Sequence, residues 1–169
     1  LNYMYWRYFL WNFVGRQNDV QGSGEPEHGN WITGISWLDN LRLGDQSLLP
    51  ESLRQNKGHN VFYGLPLLLG LFGIYWQWNR SKKGKQQFSV LFFLFFMTGL
   101  APGQPRERDY AYAGSFYAFA IWIGIGAAGL CDMLRRKTTS TVQVSVLMTI
   151  CLLIPVQMAS QTWDDHDRS

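Results

Sequence analysis

FSVLFFLFFMTGLA (residues 88–101) and AYAGSFYAFAIWIGIGAAGLCDML (residues 111–134) are two strongly apolar runs, separated by QPRERDY (residues 104–110). Arg106, Glu107, Arg108 and Asp109 are consecutive charges. Unpaired charge buried in hydrocarbon costs several kcal/mol, so this cluster belongs at a bilayer edge or in a polar pocket. The stretch therefore predicts membrane helices on either side of a polar rim, and the rest of the chain can be read outward from it.

The 169 residues are 47% hydrophobic and 16% aromatic, with a mean hydropathy of −0.13. That average is what a soluble chain would give, but the apolar residues are segregated into blocks. Residues 60–78, 111–134 and 142–160 each approach the roughly 20 apolar residues that a helix needs to cross a core about 30 Å thick. Residues 88–101 would rise only about 21 Å as a helix and span only with help from flanking residues, a snorkelling Lys85 or a thinned bilayer.

Charge placement decides that case. RSKKGK (residues 80–85) carries four positive and no negative side chains, and residues 135–137 carry three more. Both loops are expected on the cytoplasmic side, which requires both intervening segments to cross. The prediction is an all-α, polytopic transmembrane bundle of about four helices, near 60–78, 88–101, 111–134 and 142–160. Residues 1–58 form an extracytoplasmic or interfacial segment, 59–160 the bundle, and 161–169 the start of an outer tail. The net charge of +3 is then mostly loop charge on the cytoplasmic side, and a nucleic-acid partner has no footprint.

Residues 2–14 (NYMYWRYFLWNFV) are aromatic-rich but carry Arg7 and two asparagines, and are too short to span. They suit an interfacial helix, or the outer end of a longer one. Residues 15–30 are glycine-rich loop, with Gly15 as the expected stop of that helix. Residues 31–43 could form a short amphipathic element lying on the membrane. In residues 111–129, small residues at 114 and 118, and at 120, 124 and 128, fall on faces that would let neighbouring backbones approach. Cys131 and Cys151 read as small buried hydrophobes.

The phosphate-binding, dinucleotide, nucleophile-elbow, zincin and paired-cysteine motifs are all absent from the sequence. His28 and His59 stand alone and read as solvated loop residues. Three polar clusters remain, which the expected topology puts on one outer face: GRQND (residues 15–19), PRERDY (residues 105–110) and WDDHDR (residues 163–168). Arginine suits bidentate recognition of phosphate oxygens; aspartate and histidine supply general bases or hard-cation ligands. Each cluster has a plainer structural reading, as an ion network, a solvated loop or a helix end.

The strings MYWRYFLWNFVGRQND, GNWITGI, LRLGDQS, QPRERDYAYAGSFYAFAIWIGIG and WDDHDRS resemble a family of bacterial multi-pass membrane proteins distantly similar to protein O-mannosyltransferases. The resemblance implies a GT-C type glycosyltransferase in the bacterial cytoplasmic membrane, taking a sugar from a polyprenyl-phosphate carrier to a protein hydroxyl outside. Its partners would be the lipid-linked donor, an exported acceptor protein and membrane lipid. On that view Arg106 and Arg108 bind the carrier phosphate, with Arg7 or Arg16 completing an electropositive rim. Asp19, Asp109 and Asp165 orient the acceptor or assist deprotonation. No cofactor is implied, although Asp164, Asp165, His166 and Asp167 offer ligands for a divalent metal. The resemblance also implies preceding helices whose first outer loop carries the principal base, and a domain after residue 169, so the chain is expected to be an internal piece. Relatives continue the helix at residues 88–101 further before the PRERDY string, which points to a deletion or omitted residues between Ala101 and Pro102. A non-catalytic membrane subunit or scaffold of an envelope complex is the alternative.

Overall fold

The computed structural model describes residues 2–20, 25–54, 56–99, 112–137 and 141–166. The described residues are mostly helical: α1 (Asn2–Phe13), α2 (Ser36–Leu43), α3 (Glu51–Arg54), α4 (Leu65–Arg80), α5 (Lys82–Gly99), α6 (Ala113–Lys137) and α7 (Thr141–His166), with two short strands, β1 (Gly15–Arg16) and β2 (Asn60–Val61). Two compact units result, one of Leu1–Tyr5 with Pro66–Leu152 and one of Trp6–Leu65 with Leu153–Ser169.

In the first unit, helices approach closely because their contact positions lack side chains. A Cβ on Gly73 of α4 would fall 1.9 Å from the Trp122 carbonyl of α6, and one on Gly126 of α6 would fall 2.2 Å from the Leu69 carbonyl of α4. Ser115, Ala118, Phe119 and Trp122 are buried along the same side of α6, as are Gly126 and Gly129. Trp122 sits at the centre. Its ring meets Phe88 and Phe95 of α5 at 5.8 and 5.7 Å, and its indole N–H donates to Gln77 Oε1 of α4 at 2.8 Å. One buried polar pair thus links two helices in an apolar setting, where an unmade hydrogen bond has no water to replace it.

The expected small-residue faces of α6 divide. Ala118 is buried and Gly114 lies against Thr98 of α5, whereas Ala120, Gly124 and Ala128 are exposed. The helix bounds also shift from those expected. α4 begins at Leu65 because Asn60 and Val61 pair with β1. α5 begins at Lys82, inside the basic run, because Ser81 caps it by accepting the Gly84 N–H on its hydroxyl at 3.0 Å.

Among the described residues, two helices are long and apolar enough to cross a bilayer: Ala113–Arg136, 24 residues with hydropathy 1.6, and Val142–Trp163, 22 residues with hydropathy 2.0. Only 6% of the second window is buried, so it presents leucines, valines and isoleucines outward on most of its circumference. Two threonine hydroxyls turn back on their own helices: Thr98 of α5 donates to the Leu94 carbonyl at 2.7 Å and Thr149 of α7 to the Ser145 carbonyl at 3.0 Å. Cys131 and Cys151 are free thiols, the first buried.

The second unit is organised by three extended segments. β1 pairs antiparallel with β2, Gly15 opposite Val61 and Arg16 opposite Asn60. On the other side of β1, Ile32 N–H donates to the Gly15 carbonyl at 3.1 Å and Gln17 N–H to the Asn30 carbonyl at 2.8 Å. Gly15 is therefore the middle of this arrangement rather than a helix cap. Its φ is +150°, and a Cβ there would meet Ile32 O at 2.7 Å and Asn60 O at 2.8 Å. Phe9, Phe13, Val14, Ile32 and Phe62 form the apolar core of this unit.

Candidate functional site

Buried amides build the site. The Gln17 side chain donates to the Pro26 carbonyl at 2.9 Å and to Gln46 Oε1 at 2.6 Å, and accepts from the Asn30 backbone and side-chain amides at 3.2 Å each. Asn18 donates to the Glu27 carbonyl at 2.9 Å and accepts the Gly29 N–H at 2.8 Å. The GRQND cluster thus clamps residues 25–30. Both amides are buried yet hydrogen-bonded, as polar groups in a folded interior have to be.

Asp39 supplies the second element. It lies in the first turn of α2, whose N-cap position is Ile35 and offers no side-chain cap. Its carboxylate reaches back past the helix start to the preceding loop, accepting the Thr33 N–H at 2.8 Å, the Thr33 hydroxyl at 2.9 Å and the Gly34 N–H at 2.8 Å. At the other end, Gly44 returns its N–H to the Asn40 carbonyl with φ of +79°. A short turn (Gln46–Leu48) follows, capped by Asp45, whose carboxylate accepts the Ser47 N–H at 3.0 Å and hydroxyl at 2.7 Å. Those two donors hold the Asp45 carboxyl below the ordinary aspartate range.

These elements enclose a cavity of about 360 Å³, near the lower end of the size range of small-molecule sites, roughly 300–1,000 Å³. Ile32, Leu49, Leu53 and Val61 give it apolar walls, and Gln17, Asp39, Asn40, Asp45, Arg54 and His59 give it polar groups. His59 Nδ1 lies 3.0 Å from the Gln17 carbonyl. A carbonyl can only accept, so Nδ1 is the donor in this contact. His59 is an exposed loop residue, as expected, and its ring is also oriented by the Gln17 carbonyl.

The predicted site residues are distributed as follows. Arg7 is buried in α1 with its guanidinium 5.0 Å from the Trp11 ring centre and 5.6 Å from that of Tyr8. Arg16 donates from Nε to the Gly58 carbonyl at 2.7 Å and lies 5.4 Å from the Trp11 ring centre. Asp19 is exposed and accepts from Asn56 Nδ2 at 2.7 Å. Arg16 and Asp19 converge on Gly58, where an added Cβ would meet Asp19 Cβ at 2.9 Å and an Arg16 guanidinium nitrogen at 3.0 Å. Arg106, Arg108 and Asp109 lie outside the described residues, as does Asp167. Asp164, Asp165 and His166 end α7, and their side chains are likewise outside the description. Among the described residues no group of three or more His, Cys, Asp or Glu could hold a metal ion.

Sequence reasoning assigned no role to Asp39, Asn40, Asp45, Gln46 or Arg54. A signal was present: GNWITGI and LRLGDQS bracket α2, and an aspartate in the first turn of a helix is placed to accept from the loop amides that lead into it. No family model, no curated protein and no solved structure matches the chain.

Proposed function

We propose that this chain is an internal part of a membrane glycosyltransferase that moves a sugar from a polyprenyl-phosphate carrier to a protein hydroxyl on the outer face of a bacterial cytoplasmic membrane. The observation that carries the reading is convergence. Parts of three of the strings behind the resemblance, residues 15–19, 29–35 and 41–47, fold around one cavity, which Gln17, Ile32, Gly34, Asp45, Gln46 and Ser47 help to line. Two bilayer-length helices in the same chain agree with a membrane setting, and the basic runs at residues 80–85 and 135–137 support a four-span arrangement with the cavity outside.

In this reading the acceptor oxygen attacks the anomeric carbon, the bond from that carbon to the carrier phosphate breaks, and the acceptor proton passes to a carboxylate. Arg106 and Arg108 stabilise the departing phosphate, while Asp19, Asp109 and Asp165 position the acceptor. The principal base belongs to a preceding segment. A scaffold reading has its own support: Arg7 packs on aromatic rings and Arg16 on a backbone carbonyl, both of which are structural uses of arginine.

The test is transfer by the full-length protein in lipid. Sugar from a polyprenyl-phosphate donor should reach a Ser or Thr peptide, and loss of the gene should strip glycans from exported proteins. Unchanged glycosylation in a strain with no second copy would leave the scaffold reading.

A further inference from the structure

Helix α2 is inside out for a protein surrounded by water. Its polar side carries Ser36, Asp39 and Asn40 along the cavity; Asp39 is only 6% exposed, while Ser36 and Asn40 stay exposed at the cavity's rim. Its outward face carries Trp37, Leu38 and Leu41, with Trp37 at 67% and Leu41 at 77%, and the turn that follows adds Leu48 at 81%. At about 100° per residue these three helical positions fall within one arc of roughly 100°. Scattered exposed leucines need no explanation, but a continuous patch of Trp and Leu opposite a buried carboxylate does.

We propose that α2 lies in the headgroup layer of the membrane with Trp37, Leu38, Leu41 and Leu48 inserted, so that it forms the wall between lipid and the cavity. The inference rests on the membrane setting argued above and is separate from any transferase activity. Lipid is the occupant for three reasons. First, the same compact unit includes the Leu153–Ser169 end of the chain, and hence the last turns of the bilayer-length helix in α7. A hydrogen bond from Gln157 Nε2 to the Val61 carbonyl, 3.3 Å, ties that helix to β2. Second, Leu153, Val156 and Trp163 of α7 are exposed in this same unit, so its surface already carries residues that require an apolar surrounding. Third, a tryptophan and leucines beside an arginine is the composition of helices that rest about 5–10 Å into the headgroup boundary. Arg42 fits this role, its guanidinium 3.9 Å from the Trp31 ring centre at the edge of the apolar face.

The experiment places single nitroxide labels on the full chain in phosphatidylethanolamine and phosphatidylglycerol vesicles, in a background with Cys131→Ala and Cys151→Ala. Labels go at Leu41→Cys, at Ser52→Cys on exposed α3 and at Leu152→Cys on exposed α7. Collision with oxygen, which enters lipid, is compared with collision with a water-confined nickel chelate. The proposal expects a several-fold higher oxygen-to-nickel ratio at Leu41 than at Ser52, approaching that at Leu152. A Leu41 label as open to nickel as Ser52, with Leu152 still in lipid, overturns the proposal while the membrane setting stands; a Leu152 label open to nickel removes both. Should the cysteine-free background fail to fold, a benzophenone amino acid at Leu41 in the native-cysteine chain must crosslink to lipid. Crosslinking to a second copy or to another segment of the chain overturns the proposal.

Discussion

Asp39 faces inward on a helix whose other side is apolar and exposed, and three donors make that tolerable. Asp39→Ala would leave two backbone amides and a hydroxyl without their acceptor, each a desolvation cost of about 1–3 kcal/mol where water cannot reach. The expected loss is roughly 2–4 kcal/mol, read as a lowered unfolding midpoint in detergent, with Asp39→Asn falling between it and the native chain. Asp45 makes a different prediction. Its folded carboxyl is held below the ordinary range by Ser47, so its contribution is present above the unfolded value and lost as pH falls through the folded one. Protection of the Ser47 amide, measured against the intrinsic exchange rate at each pH, should fall on acidification below the usual aspartate range, and Asp45→Asn should flatten that dependence. At this scale the sequence was a partial guide. It drew attention to the GRQND cluster, whose Arg16 and Asp19 both approach Gly58, but gave Gln17 no role and passed over Asn30, because buried amides bond to loop backbones whose proximity no local pattern encodes.

The α4–α6 contact depends on missing side chains, and the glycines separate cleanly by what they face. Gly73→Ala would put a methyl 1.9 Å from the Trp122 carbonyl, and the helices must part to accept it. Overpacking of this kind costs about 1–3 kcal/mol, here compounded by strain on the Trp122–Gln77 bond. Gly124→Ala meets nothing within 4 Å and should be neutral or stabilising by about 0.5–1 kcal/mol. Thermal unfolding of the two variants in one detergent checks the contrast; equal effects would mean α4 and α6 do not touch at Gly73. The helices themselves were legible because apolar runs of bilayer length have few other readings. Which small residues pack was not, since glycine and alanine are equally acceptable against a helix or against lipid. Lysines at the start of α5 concealed its N-terminus, although Ser81 followed three residues later by Gly84 is a capping geometry that charge-based reading overlooks.

On the scale of the molecule, the sequence anticipated a helical chain with membrane-grade segments and an aromatic first helix. It gave no warning of the β1–β2 pairing, because two-residue strands are too short for any alternation to register. It also placed α2 on the membrane surface as an option without foreseeing that its polar side would line a cavity. The proposed function carries a topology with it, in which the cavity would face outside, the basic runs inside, and α4 to α7 would cross between. Single-cysteine labelling with an impermeant thiol reagent in intact cells measures this directly, using Ser52→Cys beside the cavity, and Ser81→Cys and Thr139→Cys in the basic loops. The account predicts labelling at residue 52 in intact cells and at residues 81 and 139 only after permeabilisation. Labelling at 81 in intact cells, with 52 protected, would contradict it.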